Sequence, residues 1–98
     1  VAQYKICYWR DIPSQVDAFE GEEYVRRPLS ERFLALIDSA AMKLGMAGTD
    51  DYLEQWSVGP VLTREGSPKE VAEAVAQELE ARFAELRDRA LGRGGDGG

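Results

Sequence analysis

Residues 29–56 read LSERFLALIDSAAMKLGMAGTDDYLEQW, and this stretch decides the fold class. Ser30 stands where a helix cap belongs, with an oxygen to accept a backbone N–H from the first turn. Phe33, Ile37, Ala40, Ala41 and Leu44 follow at steps of three and four, which places them on one helical face. Asp38 and Lys43 fall off that stripe. Gly45 is the expected left-handed stop. Thr49 then opens a short second turn, where Asp50 and Asp51 favour the positive end of the helix dipole. Everything before this stretch reads as strand, and everything after it as a hairpin and one long helix.

Working outward, YKICYWR at residues 4–10 has strand composition. Alternation puts Tyr4, Ile6 and Tyr8 on the face better suited to a core, and Lys5, Cys7 and Trp9 on a mixed face. Pro13 predicts a turn. Gln15–Phe19 and Tyr24–Arg27 read as strands around Glu20-Gly21-Glu22, with glycine suited to the first central position of a type II′ turn. Asp17, Glu20, Glu22 and Glu23 read as charge guarding a solvated edge hairpin. QWSVGPVLTR at 55–64 gives two short strands or one bent one, interrupted at Gly59-Pro60.

Ser67-Pro68-Lys69-Glu70 is a capping box with proline at the first helical position. The helix it opens is expected to reach Leu91, because Val71, Val75, Leu79, Phe83, Leu86 and Ala90 form a continuous apolar stripe. Glu78 with Arg82 and Glu85 with Arg89 are expected to pair along its surface. The expected fold is therefore α+β: a small, mostly antiparallel sheet with two helices packed on one face, in the order β-hairpin–α–β–α. Residues 1–91 are expected to form a single domain, and the glycine-rich 92–98 a disordered tail.

Composition excludes several chemistries. The chain has no histidine, so serine–histidine and cysteine–histidine catalysis cannot be assembled within it. Cys7 is the single cysteine, which excludes an internal disulfide and fits a reducing cytoplasm. Eighteen acids against twelve bases give a net charge of -6, which argues against nucleic acid as a partner. No apolar run is long enough to span a membrane, and the first residues lack a signal-peptide core. The chain opens on Val1, which is compatible with a leader having been removed. No metal or other cofactor is expected.

Two segments, YKICYWRDIPSQV and LSERFLALIDSAAMKLGMAGTDDYLEQW, carry a family likeness. Through Tyr-Trp-Arg-Asp-Ile-Pro and Gly-Thr-Asp-Asp-Tyr-Leu the chain resembles the bacterial virulence factor family over roughly residues 4–85. That family is a short α/β domain found in conserved virulence proteins beside scaffold-type and helical-repeat modules. The resemblance implies no reaction and no catalytic residues, and it does not extend to the glycine-rich tail.

Candidate sites follow from residue type. Tyr8, Trp9, Arg10 and Asp11 end a strand with residue types enriched at binding hot spots, against the reading that both aromatics are core. Asp50, Asp51, Tyr52 and Glu54 are a candidate cation or basic-partner site, against the reading of a simple helix cap. Trp56 could flank a pocket with Trp9 or pack between sheet and helices. Cys7 could be a nucleophile, but without a second thiol or a histidine an inert buried thiol is the simpler reading. Arg32 and Arg64 could hold an anion. The expected role is a non-enzymatic accessory domain that docks a protein partner through Tyr8–Asp11 and the outer long helix. The alternative is a small enzyme or ligand-binding subunit using carboxylate, Tyr and Arg groups in a cleft near Trp9 and Trp56.

Overall fold

The structure, a computed structural model, describes residues 1–92. The tail expected to be disordered lies, from residue 93 onward, outside the described residues. The elements run β1 (Ala2–Trp9), β2 (Ile12–Glu20), β3 (Glu23–Pro28), α1 (Glu31–Lys43), α2 (Asp50–Glu54), β4 (Trp56–Val58), β5 (Leu62–Arg64), α3 (Pro68–Ala81) and α4 (Phe83–Ala90).

This order corrects the expected two-helix arrangement: the described residues hold five strands and four helices. The helix expected to run unbroken to Leu91 divides at Arg82, whose φ of -96° and ψ of 8° leave the helical region. The apolar stripe continues across the break, so periodicity alone could not reveal it. The acidic turn at residues 50–54 is a helix in its own right.

All strand pairings are antiparallel, and β1 lies at the centre. β2 and then β3 lie on one side of it, while β4 and β5 both pair along its other edge. The pairs Cys7 with Val58 and Tyr4 with Leu62 differ by one residue in register, a bulge between the two short strands. Pro60, which has no N–H to donate, falls in that interruption at the sheet edge. A second bulge lies between β1 and β2. Cys7 pairs with Gln15 but Tyr8 pairs with Pro13, which leaves Ser14 unpaired. The Ser14 hydroxyl donates to the Cys7 carbonyl at 3.1 Å. Pro13 therefore sits inside β2, and the turn expected there is made by Arg10 and Asp11.

Directly paired residues share a sheet face, so Tyr4, Ala18 and Val25 lie together, as do Ile6 and Val16. α3 packs across β1, β2 and β3 with Val71, Ala72, Val75, Ala76 and Leu79 buried. α1 packs against β2 and α4, and Phe33 meets Phe83 edge-on with ring centres 5.1 Å apart. On the paired residues Lys5, Asp17 and Arg26, the sheet's other face is polar. Asp17 was expected to be solvated but is only 6% exposed. It accepts from the Tyr24 hydroxyl at 2.8 Å and from Gln15 at 3.1 Å, with Arg26 at 3.4 Å.

The carboxylates of α3 fasten it to its neighbours. Ser67 and Glu70 form the expected capping box. Glu73 pairs with Arg27 of β3 at 3.0 Å, and Glu78 with Arg64 of β5 at 2.5 Å. Glu80 accepts from the Ser30 N–H at 2.6 Å and its hydroxyl at 2.8 Å, and also pairs with Arg32 at 3.0 Å. Three expectations are corrected here. Ser30 makes no side-chain cap; its hydroxyl instead donates a charge-assisted bond to the Glu80 carboxylate. Glu78 reaches Arg64 instead of Arg82. Glu85 reaches back three residues to Arg82 at 3.1 Å instead of forward to Arg89.

Candidate functional site

The β1–β2 hairpin turns in two residues, since Trp9 pairs with Ile12. Arg10 occupies the first turn position with φ of 57°, the only described residue other than glycine with positive φ. L-residues adopt that conformation at a cost of about 1 kcal/mol, which glycine avoids. The Arg10 N–H is anchored on the Gln55 carbonyl at 2.9 Å, so the end of α2 holds the turn in place.

Beside this turn lies a cleft of about 340 Å³. The strands supply Tyr8, Arg10, Asp11 and Pro13, and the α3–α4 junction supplies Leu79, Arg82, Leu86 and Arg89. Pro13, Leu79 and Leu86 are buried and make an apolar floor. The three arginines are exposed and stand around the rim. Arg82 is shared with Glu85, and Arg10 donates to the Gln55 side chain at 3.3 Å. The Arg89 side chain has no hydrogen-bonding or ion-pair partner among the described residues. Burial pushes the Tyr8 hydroxyl above its ordinary value of 10.0, and the nearby Arg82 charge opposes the rise only in part. Tyr8 therefore stays a neutral donor at physiological pH. Gly59 fits the edge strand past its ring: a Cβ there would lie 3.1 Å from Tyr8 Cε2.

Of the strand-end residues singled out in sequence, Tyr8, Arg10 and Asp11 meet at this cleft. Trp9 does not. It is 0% exposed, so its place in a docking surface is corrected to core. Alternation marked its face as mixed, but α2 packs over this end of β1. The Trp9 indole N–H donates to the Tyr52 carbonyl at 2.8 Å, and the two rings lie 5.5 Å apart. Tyr52 also meets Trp56 edge-on at 6.3 Å. The space expected to be a cleft near Trp9 and Trp56 is thus filled by the Tyr52 ring.

The remaining candidates separate. Asp50, Asp51 and Glu54 are exposed on α2 while Tyr52 turns inward. No group of three acidic or thiol side chains able to hold a metal occurs among the described residues. Cys7 is half-buried in the middle of β1. Arg32 and Arg64, considered as anion ligands, are already paired with Glu80 and Glu78, and Arg32 also lies 4.5 Å over the Phe83 ring.

Leu79, Arg82, Leu86 and Arg89 lie on the helix whose outer part is expected to dock a partner, but residue type singles out none of them. Their steps of three, four and three keep them along one side of the expected helix, where two arginines border the apolar stripe.

The model of the virulence factor family matches residues 7–91, which takes in the cleft and nearly every element. The chain belongs to the virulence factor family. The match includes both segments on which the resemblance rested for most of their length. No curated protein and no solved structure matches the chain. This virulence factor domain has, among its described residues, no helix long and apolar enough to cross a membrane.

Proposed function

We propose that this virulence factor domain is a non-enzymatic interaction module, and that it contacts a protein partner through the cleft between the β1–β2 turn and the α3–α4 junction. The observation that carries the reading is the composition of the cleft. Tyr and Arg, the types that dominate binding hot spots, stand around a buried apolar floor of Leu79, Leu86 and Pro13. The non-enzymatic part is supported by the same residues. Arginine stays protonated, Tyr8 is shifted away from neutrality, and Asp11 is an exposed carboxylate on the rim.

The test is site-specific crosslinking in the native cell. A photoreactive amino acid replaces the exposed Glu85, beside the cleft, in one variant and Glu22, at the opposite end of β2, in another. A single protein adduct at 85 and none at 22 is expected. Adducts at 22 alone, or a small molecule retained by the wild-type domain and released by cleft substitutions, would contradict the reading.

A further inference from the structure

We infer that the cleft receives an acidic peptide segment of the partner, with an apolar side chain on the Leu79–Leu86 floor and carboxylates between Arg10, Arg82 and Arg89. This rests on the cleft being the partner contact and names the chemistry of what enters it. The first support is charge. The chain carries a net charge of -6, yet three arginines and one acid line this cleft, and even with Glu85 paired to Arg82 at 3.1 Å the local balance stays positive. At physiological salt, charges beyond about 8–10 Å are screened, so a short anionic segment responds mainly to the local arginines. A long polyanion such as duplex nucleic acid would also meet the acidic remainder of the surface, where it is repelled.

The second support is the state of the guanidinium groups. Arg32 and Arg64, elsewhere on the domain, are each held by a glutamate of α3. At the cleft, Arg82 is likewise held by a glutamate, Glu85, but the Arg89 side chain has no partner among the described residues, and Arg10 reaches only a neutral amide at 3.3 Å. A carboxylate could engage either one through paired N–H donors. The third is size: about 340 Å³ is at the lower end of ligand pockets, room for one or two side chains. The fourth is Arg10 itself, held at a turn position where the backbone favours glycine.

Selection from a displayed library of random twelve-residue peptides tests the inference, with the wild-type domain as bait. Enriched peptides should carry Asp or Glu next to a large apolar residue. A synthetic peptide from that pool should bind at least about tenfold more weakly to the R82Q/R89Q variant, and also when its acids are replaced by amides. Thermal melts of the variant establish that it is folded; both substituted side chains are exposed. Neutral apolar peptides that still depend on the cleft would overturn the acidic specificity and leave the cleft as a contact surface. An empty selection, or peptides indifferent to the two arginines, would overturn both.

Discussion

The two ends of β2 are closed by turns of the same length and opposite character. At one end Trp9 pairs with Ile12 across Arg10 and Asp11; at the other Glu20 pairs with Glu23 across Gly21 and Glu22. The first turn residue has φ of 57° in Arg10 and 60° in Gly21. Gly21 has nothing within 4 Å of where a Cβ would be, so its turn stands free in solvent. Arg10 follows a fully buried tryptophan and is tied to Gln55. One turn uses the residue that backbone geometry favours. The other keeps an arginine there against a conformational cost, which points to a use for its side chain beyond closing the hairpin.

The widest gap between the two ends should appear on removing the residue before each turn. Trp9→Ala should destabilise the domain by roughly 3–5 kcal/mol, enough to unfold much of it, because a filled aromatic cluster becomes a cavity. Glu20→Ala should shift stability by no more than about 0.5 kcal/mol. Urea denaturation compares them, and similar midpoints would break the distinction between an embedded and a free turn.

The next effect is smaller and isolates the backbone. Gly21→Ala adds a Cβ into open space, so its cost of about 1 kcal/mol would come from the positive φ alone. An unchanged melting temperature would mean that positive φ carries no cost in this sheet, and the argument about Arg10 would fail with it.

These two turns also show what could be read in the sequence. Gly21 between acidic strand ends announced its hairpin, and its positive φ, without one at Glu22, fits the expected type II′ geometry. Arg10-Asp11 gave no such signal, because an arginine at that position contradicts local propensity. Pro13 drew the turn two residues too far along, since the bulge at Ser14 that accommodates it depends on pairing with β1. The capping box at Ser67 was legible because all its parts lie within four residues. The cleft was half legible. Tyr8, Arg10 and Asp11 stood out by type, but Arg82 and Arg89 are brought to them only by tertiary packing. Ser30 shows the same limit: its hydroxyl donates to Glu80, fifty residues away.

A finer contrast lies in the two shifted tyrosines. Tyr8 is raised above 10.0 by burial at the cleft end, and Tyr24 by its hydrogen bond to Asp17 on the polar face. A raised folded-state value means the associated stability is present below pH 10 and is lost as pH rises through the folded-state values. Arg82→Gln should raise Tyr8 further, by removing a charge that lowers it, and leave Tyr24 unmoved. Ultraviolet and NMR titration of the tyrosines reads this directly. A shift of both, or of neither, would separate Arg82 from the cleft.

The central claim is that Arg10 is retained for binding at the expense of the turn, and Arg10→Gly tests it most directly. Glycine relieves the positive φ and keeps the N–H bond to Gln55, so the account predicts a gain of about 0.5–1 kcal/mol in stability. The same variant should bind the selected acidic peptide several-fold more weakly, measured on the protein sample used for the melt. A variant no more stable than wild type that binds the peptide equally well would contradict the account.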